Sequence, residues 1–188
     1  FAREAARAGT RVAAPVDTSL VVNDALDAVG ASLVHTRVGD VHVAERAKDE
    51  DVVFGGEPSG AWIFPEETLC PDGPLAAVRL AALVADQPLS DRVAAFDPYP
   101  IRRTTVETPA KTAAMDRISA KGVELGGSVT TLDGVRVSEP EGWFLIRASG
   151  TQPLVRITAE ARDGDVADRL LDRAETLVTD AVDRVEEA

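Results

Sequence analysis

The stretch DQPLSDRVAAFDPYP, residues 86–100, divides the chain into two halves that obey different patterns. It holds three prolines and no long apolar run. Proline fixes its own φ and offers no backbone donor, so neither a long helix nor a central strand runs through such a segment, and it reads as a linker. Before it, over residues 1–90, helical and extended patterns alternate. Phe1–Ala8 is helical, TRVAA (10–14) extended. Thr18–Val29 carries a helical stripe of Leu20, Val21, Ala25, Leu26 and Val29. ASLVHT (31–36) reads as a strand, Val41–Lys48 as a helix and DVVF (51–54) as a strand. The loop GGEPSG (55–60) follows, then IFPEETLCPDGP (63–74) and a helix over Leu75–Ala85, with Asp72 or Gly73 as its cap and Pro74 at its first position. Strands that alternate with helices predict an α/β domain with a mainly parallel sheet.

Residues 99–188 read otherwise. PIRRTTV (100–106) is extended, and Thr108-Pro109 opens a helix that runs to Lys121 and stops at Gly122. GSVTTL and VRVS flank Asp133-Gly134, a strong hairpin signal. WFLIR (143–147) and LVRITAEA (154–161) are two more strands. A final helix follows Asp163-Gly164-Asp165, with a stripe of Val166, Leu170, Leu171, Ala174, Leu177, Val178, Ala181, Val182 and Val185. Strands clustered between helices predict a smaller α+β domain with an antiparallel sheet.

Charge narrows the partners. The 188 residues carry 32 Asp+Glu against 20 Lys+Arg, a formal charge of −12, which argues against nucleic acid or an anionic membrane as a partner. Lys48, Lys111 and Lys121 are the only lysines. A salt-rich cytoplasm and a GC-rich genome both produce that bias. Cys70 is the single cysteine, which excludes an internal disulfide and fits a reducing cytoplasm. The chain begins at Phe1 without a methionine, so a piece of a longer protein is expected.

Against that acidic background, Trp143–Ala159 holds Arg147 and Arg156 and no acid, where about three acids would fall at the chain's average frequency. Its centre is RASGTQP (147–153). The stretch is either a surface turn or a cradle for a dianion. In the second reading Gly150 allows a tight turn with exposed amides, Ser149 and Thr151 add hydroxyl donors, and Arg147 offers a planar fork for two phosphate oxygens, with Arg156 near the loop. In GGEPSG, glycines allow close approach of a ligand, and Glu57 and Ser59 suit the vicinal hydroxyls of a sugar; the alternative is a plain Gly/Pro loop. TRVGD (36–40) is a third loop, in which Asp40 reads as the cap of the following helix. His35 and His42 are not spaced for a metal and read as structural, and Cys70 reads as an inert thiol.

In this order, TRVGDVHV, GGEPSG, the run from IFPE to CPDGP, and RASGTQP resemble the α-D-phosphohexomutases, the family of phosphoglucomutase, phosphomannomutase and phosphoglucosamine mutase. TRVGD is similar to the glucosamine branch, and IFPE through CPDGP to archaeal members. The resemblance covers nearly the whole chain and implies the C-terminal half of a four-domain enzyme: the third domain, α/β and lacking its first strand, over 1–90, and the fourth, α+β and like the TATA-binding-protein fold, over 99–188. It implies a cytoplasmic enzyme that interconverts hexose 1- and 6-phosphates through a phosphoserine and a hexose bisphosphate. The phosphoserine and Mg2+ loops lie in the N-terminal domains, which have no counterpart here, so this chain alone is expected to bind no metal and to be inactive. Glu57 and Ser59 would hold sugar hydroxyls; Arg147, Ser149, Gly150, Thr151 and Arg156 would hold the non-reacting phosphate; Gly39 and Asp40 would line the substrate. Asp163-Gly164-Asp165 lacks the rest of the magnesium motif and is rejected as a metal site. Three departures stand out: Ala61 where many members have histidine, Gln152 for the usual glutamate, and Asp17 near a cationic position of some members. The rival expectation is a phosphosugar-binding module without catalysis.

Overall fold

The computed structural model describes residues 1–187, which fall into two compact units, Phe1–Pro98 and the residues from Tyr99 onward. The first unit opens with a short helix α1 (Ala2–Ala5) and strand β1 (Arg11–Pro15). Helix α2 (Leu20–Asp27) follows, capped by Ser19, whose hydroxyl oxygen accepts from the Val21 N–H at 3.2 Å. Next come β2 (Ser32–Thr36), α3 (Asp40–Arg46), β3 (Val52–Gly56), β4 (Trp62–Ile63) and α4 (Gly73–Asp86). The strand order is β2-β1-β3-β4, parallel except for the antiparallel β3–β4 pair. This is the expected mainly parallel α/β domain, with one added antiparallel strand.

Apolar side chains on the two faces of this sheet feed separate clusters. Val12, Leu26, Phe54, Phe64 and Ala76 pack together in one; Ala13, Val43, Val52 and Ile63 form the other. A bulge opposite Arg11–Val12 places an extra residue in β3, so Val52 and Phe54, two apart, serve different clusters. Asp72 caps α4, accepting from the Leu75 N–H at 2.8 Å, as expected. The expected linker is partly ordered. Helix α5 (Leu89–Val93) lies inside it, and Arg92 donates to the Leu83 carbonyl at 3.1 Å and pairs with Glu4 at 3.0 Å, tying the segment to the first unit.

At the start of β1, Arg11 grips Asp51 through Nε and Nη2, both at 2.6 Å, and reaches Asp49 at 3.2 Å. The hydrogen bonds from Arg11 hold the Asp51 carboxyl below its ordinary value and raise the guanidinium. A carboxylate depressed by folding adds stability that is present above its unfolded pKa and lost as pH falls through the folded one. Both side chains face solvent, so the effect on stability is small. An NMR titration of the carboxylates should find Asp51 titrating below the ordinary carboxylate range, and Arg11→Gln should return it there. An unchanged Asp51 curve in that variant would dismiss the pair.

The second unit contains β5 (Ile101–Glu107), α6 (Lys111–Lys121), a single 3-10 turn at Gly122–Leu125, β6 (Ser128–Thr130), β7 (Val135–Glu139), β8 (Gly142–Ala148), β9 (Leu154–Ala161) and the long helix α7 (Gly164–Glu186). The sheet is antiparallel throughout, in the order β5-β9-β8-β7-β6. Helices α6 and α7 pack on one face over Val135, Val137, Phe144, Ile146, Val155 and Ile157. The α7 stripe buries Leu170, Ala174, Val178, Ala181 and Val182, together with Ala167. Asp163 caps α7, accepting from the N–H groups of Asp165 and Val166 at 2.9 and 3.2 Å, so Asp163-Gly164-Asp165 is a helix start. Helix α6 begins at Lys111, three residues later than Thr108. The Thr108 hydroxyl oxygen instead accepts from the Ala110 N–H at 3.0 Å and makes a turn ahead of the helix.

Candidate functional site

Two polar clusters are built, one in each unit. In the first unit, β3 runs into a tight turn and returns as β4. Glu57 closes the turn: its carbonyl accepts from the Gly60 N–H and its N–H donates to the Ala61 carbonyl, both at 3.0 Å. Its carboxylate is held from two sides. Oε1 accepts from the Gly39 N–H at 2.7 Å, and Oε2 accepts from the Ser59 hydroxyl at 3.2 Å. Gly39 has φ 126° and ψ 131°, a conformation that disfavours any side chain, and this lets its amide reach the carboxylate. Three of the four residues singled out in this unit therefore meet. Asp40 does not join them: it is exposed, and its Oδ1 accepts from the Val41 N–H at 2.9 Å. It is also not the helix cap, a place taken by Gly39.

The glycines of GGEPSG need a different reading. Gly55 and Gly56 are not loop residues held open for a ligand; they end strand β3. A Cβ on Gly55 would stand 2.7 Å from Val43 Cγ1, and one on Gly56 2.8 Å from the Phe54 ring. Both are small so that α3 and Phe54 can pack.

In the second unit, the turn between β8 and β9 is the RASGTQP stretch. Arg147 and Arg156 face each other directly across the two strands. Their neighbours Ile146 and Ile157 lie in the helix-side core, so by alternation both arginines project from the opposite face of the sheet. Arg156 donates to Gln152 Oε1 at 2.9 Å, so glutamine serves in place of glutamate while leaving one negative charge out of the loop. Arg147 donates to Asp133 Oδ2 at 3.1 Å. The acid that the local sequence lacks is thus supplied from the Asp133-Gly134 turn. Gly134, at φ 78°, has no room for a Cβ against the backbone of Ile146 and Arg147, and that close approach sets Asp133 beside the guanidinium.

Inside the turn, Ser149 is buried; its N–H donates to the Leu154 carbonyl at 2.9 Å and its Oγ accepts from the Gln152 N–H at 3.3 Å. Its hydroxyl oxygen therefore braces the turn and leaves the hydroxyl proton to offer. Lys111 Nζ donates to the Ser149 carbonyl and, at 2.9 Å, to the Gln152 carbonyl, and the Thr108 N–H donates to the Pro153 carbonyl at 2.9 Å. Among the described residues, the amides of Gly150 and Thr151 meet no protein acceptor. Gly150 is not required by the turn: its φ is not positive, and a Cβ there would touch nothing. What it leaves is open space beside an unpartnered amide. Carbonyls drawn off by donors, amides without a protein acceptor and two arginines on the flanking strands give the turn a donor-rich character suited to an anion.

Glu160 belongs to neither cluster. It is buried opposite Trp143, at the far end of β8–β9 from the turn, and accepts from Trp143 Nε1 at 2.8 Å. Among the described residues no group of three His, Cys, Asp or Glu side chains is placed to hold a metal.

Residues 1–99 match the description "Phosphoglucomutase/phosphomannomutase, alpha/beta/alpha domain III", and residues 103–177 match the C-terminal domain of the same family. The chain belongs to the phosphoglucomutase/phosphomannomutase family. Both polar clusters of this phosphohexomutase chain lie inside those matched regions. Among curated relatives, a probable phosphoglucosamine mutase from Methanococcoides burtonii is 43% identical over 97% of the chain, and one from Methanopyrus kandleri is 42% identical over 94%. The chain spans 41% and 40% of those two relatives. A solved family protein from Burkholderia thailandensis superposes with a TM-score of 0.80 at 21% identity, covering 93% of this chain and 38% of that one. The N-acetylphosphoglucosamine mutase of Aspergillus fumigatus, solved with GlcNAc-6P and magnesium, does so at 0.68 and 18%, covering 92% of this chain and 39% of that one. At such identities these two structures speak for the fold.

Proposed function

We propose that this chain is the substrate-gripping C-terminal half of a cytoplasmic phosphosugar mutase that interconverts the 1- and 6-phosphates of a hexosamine. The observation that carries the reading is the β8–β9 turn, where among the described residues the amides of Gly150 and Thr151 meet no protein acceptor and the flanking strands set Arg147 opposite Arg156. In this role the turn, with the hydroxyls of Ser149 and Thr151, holds the non-reacting phosphate in either orientation of the sugar. Glu57, Ser59 and the Gly39 turn hold sugar hydroxyls; Asp40, exposed and turned to its own helix, is left out. Glu57 retains acceptor capacity, because each carboxylate oxygen takes two hydrogen bonds and each uses one here. Holding a substrate in register lowers a barrier by several kcal/mol. The phosphoryl donor and Mg2+ are assigned to domains outside these residues. Glucosamine is favoured over glucose or mannose by the names of the archaeal relatives and by the TRVGD segment. Calorimetry with inorganic phosphate, glucosamine 6-phosphate and glucosamine 1-phosphate tests the reading: all three should bind, and failure of all three sinks it.

The acid excess and scarcity of lysine further support a salt-rich cytoplasm. Repulsion among exposed carboxylates weakens as the screening length falls from about 10 Å at 0.1 M to about 3 Å at 1 M. The thermal midpoint should therefore rise between dilute and molar KCl. A flat or falling midpoint would leave composition alone as the explanation.

A further inference from the structure

Lys111 stands at an electrostatically awkward place. It is the first residue of α6, where the helix dipole disfavours a cation. It is also one of three lysines in a chain that otherwise uses arginine. What it does there is visible in its bonds. Its ammonium donates to the carbonyls of Ser149 and Gln152, 38 and 41 residues away in sequence. A compact ammonium meets two converging carbonyls with a single nitrogen; a planar guanidinium fork is shaped for a different target.

The first of those carbonyls matters most. All peptide bonds described are trans, so the Ser149 carbonyl and the Gly150 N–H point in opposite directions within one rigid plane. Holding the carbonyl toward Lys111 turns the Gly150 amide away from it. The Gln152 carbonyl precedes Pro153, which has no N–H, so the second bond anchors the turn without aiming another donor. Gly150 has no side chain to restrict this peptide and nothing packed within 4 Å of where one would be, so contacts of its own do not fix the plane.

We propose that Lys111 is a positioning residue of the anion turn, which aims the Gly150 amide at the bound phosphate by holding the Ser149 carbonyl behind it. The proposal rests on reading the turn as a phosphate site. The test is a titration of the 15N-labelled chain with inorganic phosphate, followed by amide shifts and calorimetry. In the unaltered chain the Gly150 and Thr151 amides should move as phosphate binds. In Lys111→Met the affinity should fall roughly tenfold, and the Gly150 amide should lose most of its movement. Lys111→Arg keeps the charge but not the geometry, and should restore affinity only in part. A folded Lys111→Met that binds phosphate like the parent, with the same Gly150 shift, overturns the proposal while leaving the phosphate site standing. Full restoration by arginine reduces the role to charge and overturns it too. No phosphate binding by the unaltered chain removes the underlying reading and the proposal with it. Should Lys111→Met not fold, Lys111→Arg is judged by the same two measurements: full parental affinity and shift reject the aiming role, and a partial loss of both supports it.

Discussion

Replacing Arg147 with alanine is expected to weaken inorganic phosphate and a hexose phosphate alike, by at least about tenfold. A hydrogen bond from a charged donor to a phosphate contributes roughly 1.5–3 kcal/mol, and about 1.4 kcal/mol is a decade in affinity. The two ligands should suffer comparably because, in the proposed role, the turn would contact only the anion. Lysine at 147 should recover part of the loss, since a point charge lacks the fork. Asp133 makes the result more informative. It holds one nitrogen of Arg147 at 3.1 Å, so an incoming phosphate competes with a carboxylate already in place. If Arg147 serves only to pair with Asp133, the alanine variant loses thermal stability and keeps its phosphate affinity. That outcome, in a folded variant, would make the turn merely a turn.

Glu57→Gln should separate the sugar from the phosphate. Glutamine keeps an oxygen to accept the Gly39 N–H, and its amide can donate to the Ser59 hydroxyl, so the turn is expected to stay folded. What is lost is the negative charge and an acceptor for a sugar hydroxyl. Affinity for a hexose phosphate should drop by about tenfold, on the same scale of charged hydrogen bonds. Affinity for inorganic phosphate should stay near the parent value. Equal losses for both ligands would mean that Glu57 acts through the fold rather than on the sugar. Unchanged affinity for both would return GGEPSG to a structural hairpin. Calorimetry on the folded variants decides between them.

The layout of both domains was legible because it rests on local chemistry. The apolar stripe of the last helix, the Asp72 cap and the Asp133-Gly134 turn each declare themselves within a few residues. Strand β4 did not, because two residues, Trp62 and Ile63, are too short to show an alternation. Gly55 and Gly56 were misread as loop residues for a similar reason. Glycine is poor in strands, and only the distant packing of Val43, together with the Phe54 ring, explains two in a row. The helix within the proline-rich segment was hidden by Pro88, which sits at its cap and not in its interior. At the candidate sites, the residue types were readable from RASGTQP and GGEPSG, but their partners were not. Arg147 looked free of acids because a window of sequence cannot see Asp133 arriving from the next hairpin. Lys111 gave no signal beyond its rarity, since its two carbonyls lie far along the chain.

The facing pair Arg147 and Arg156 carries a consequence for handling the molecule. Like charges directly opposite on neighbouring strands strain a sheet, and here Asp133 and Gln152 offset only part of that repulsion. A bound dianion would remove the rest, acting as a folding aid as well as a ligand. Mass action then makes the melting temperature a function of ligand concentration: at a hundredfold excess over Kd the folded state gains about 2.7 kcal/mol. Preparations in phosphate buffer and in chloride would report different robustness for the same polypeptide. The buffer itself would be an unacknowledged component of every unfolding curve.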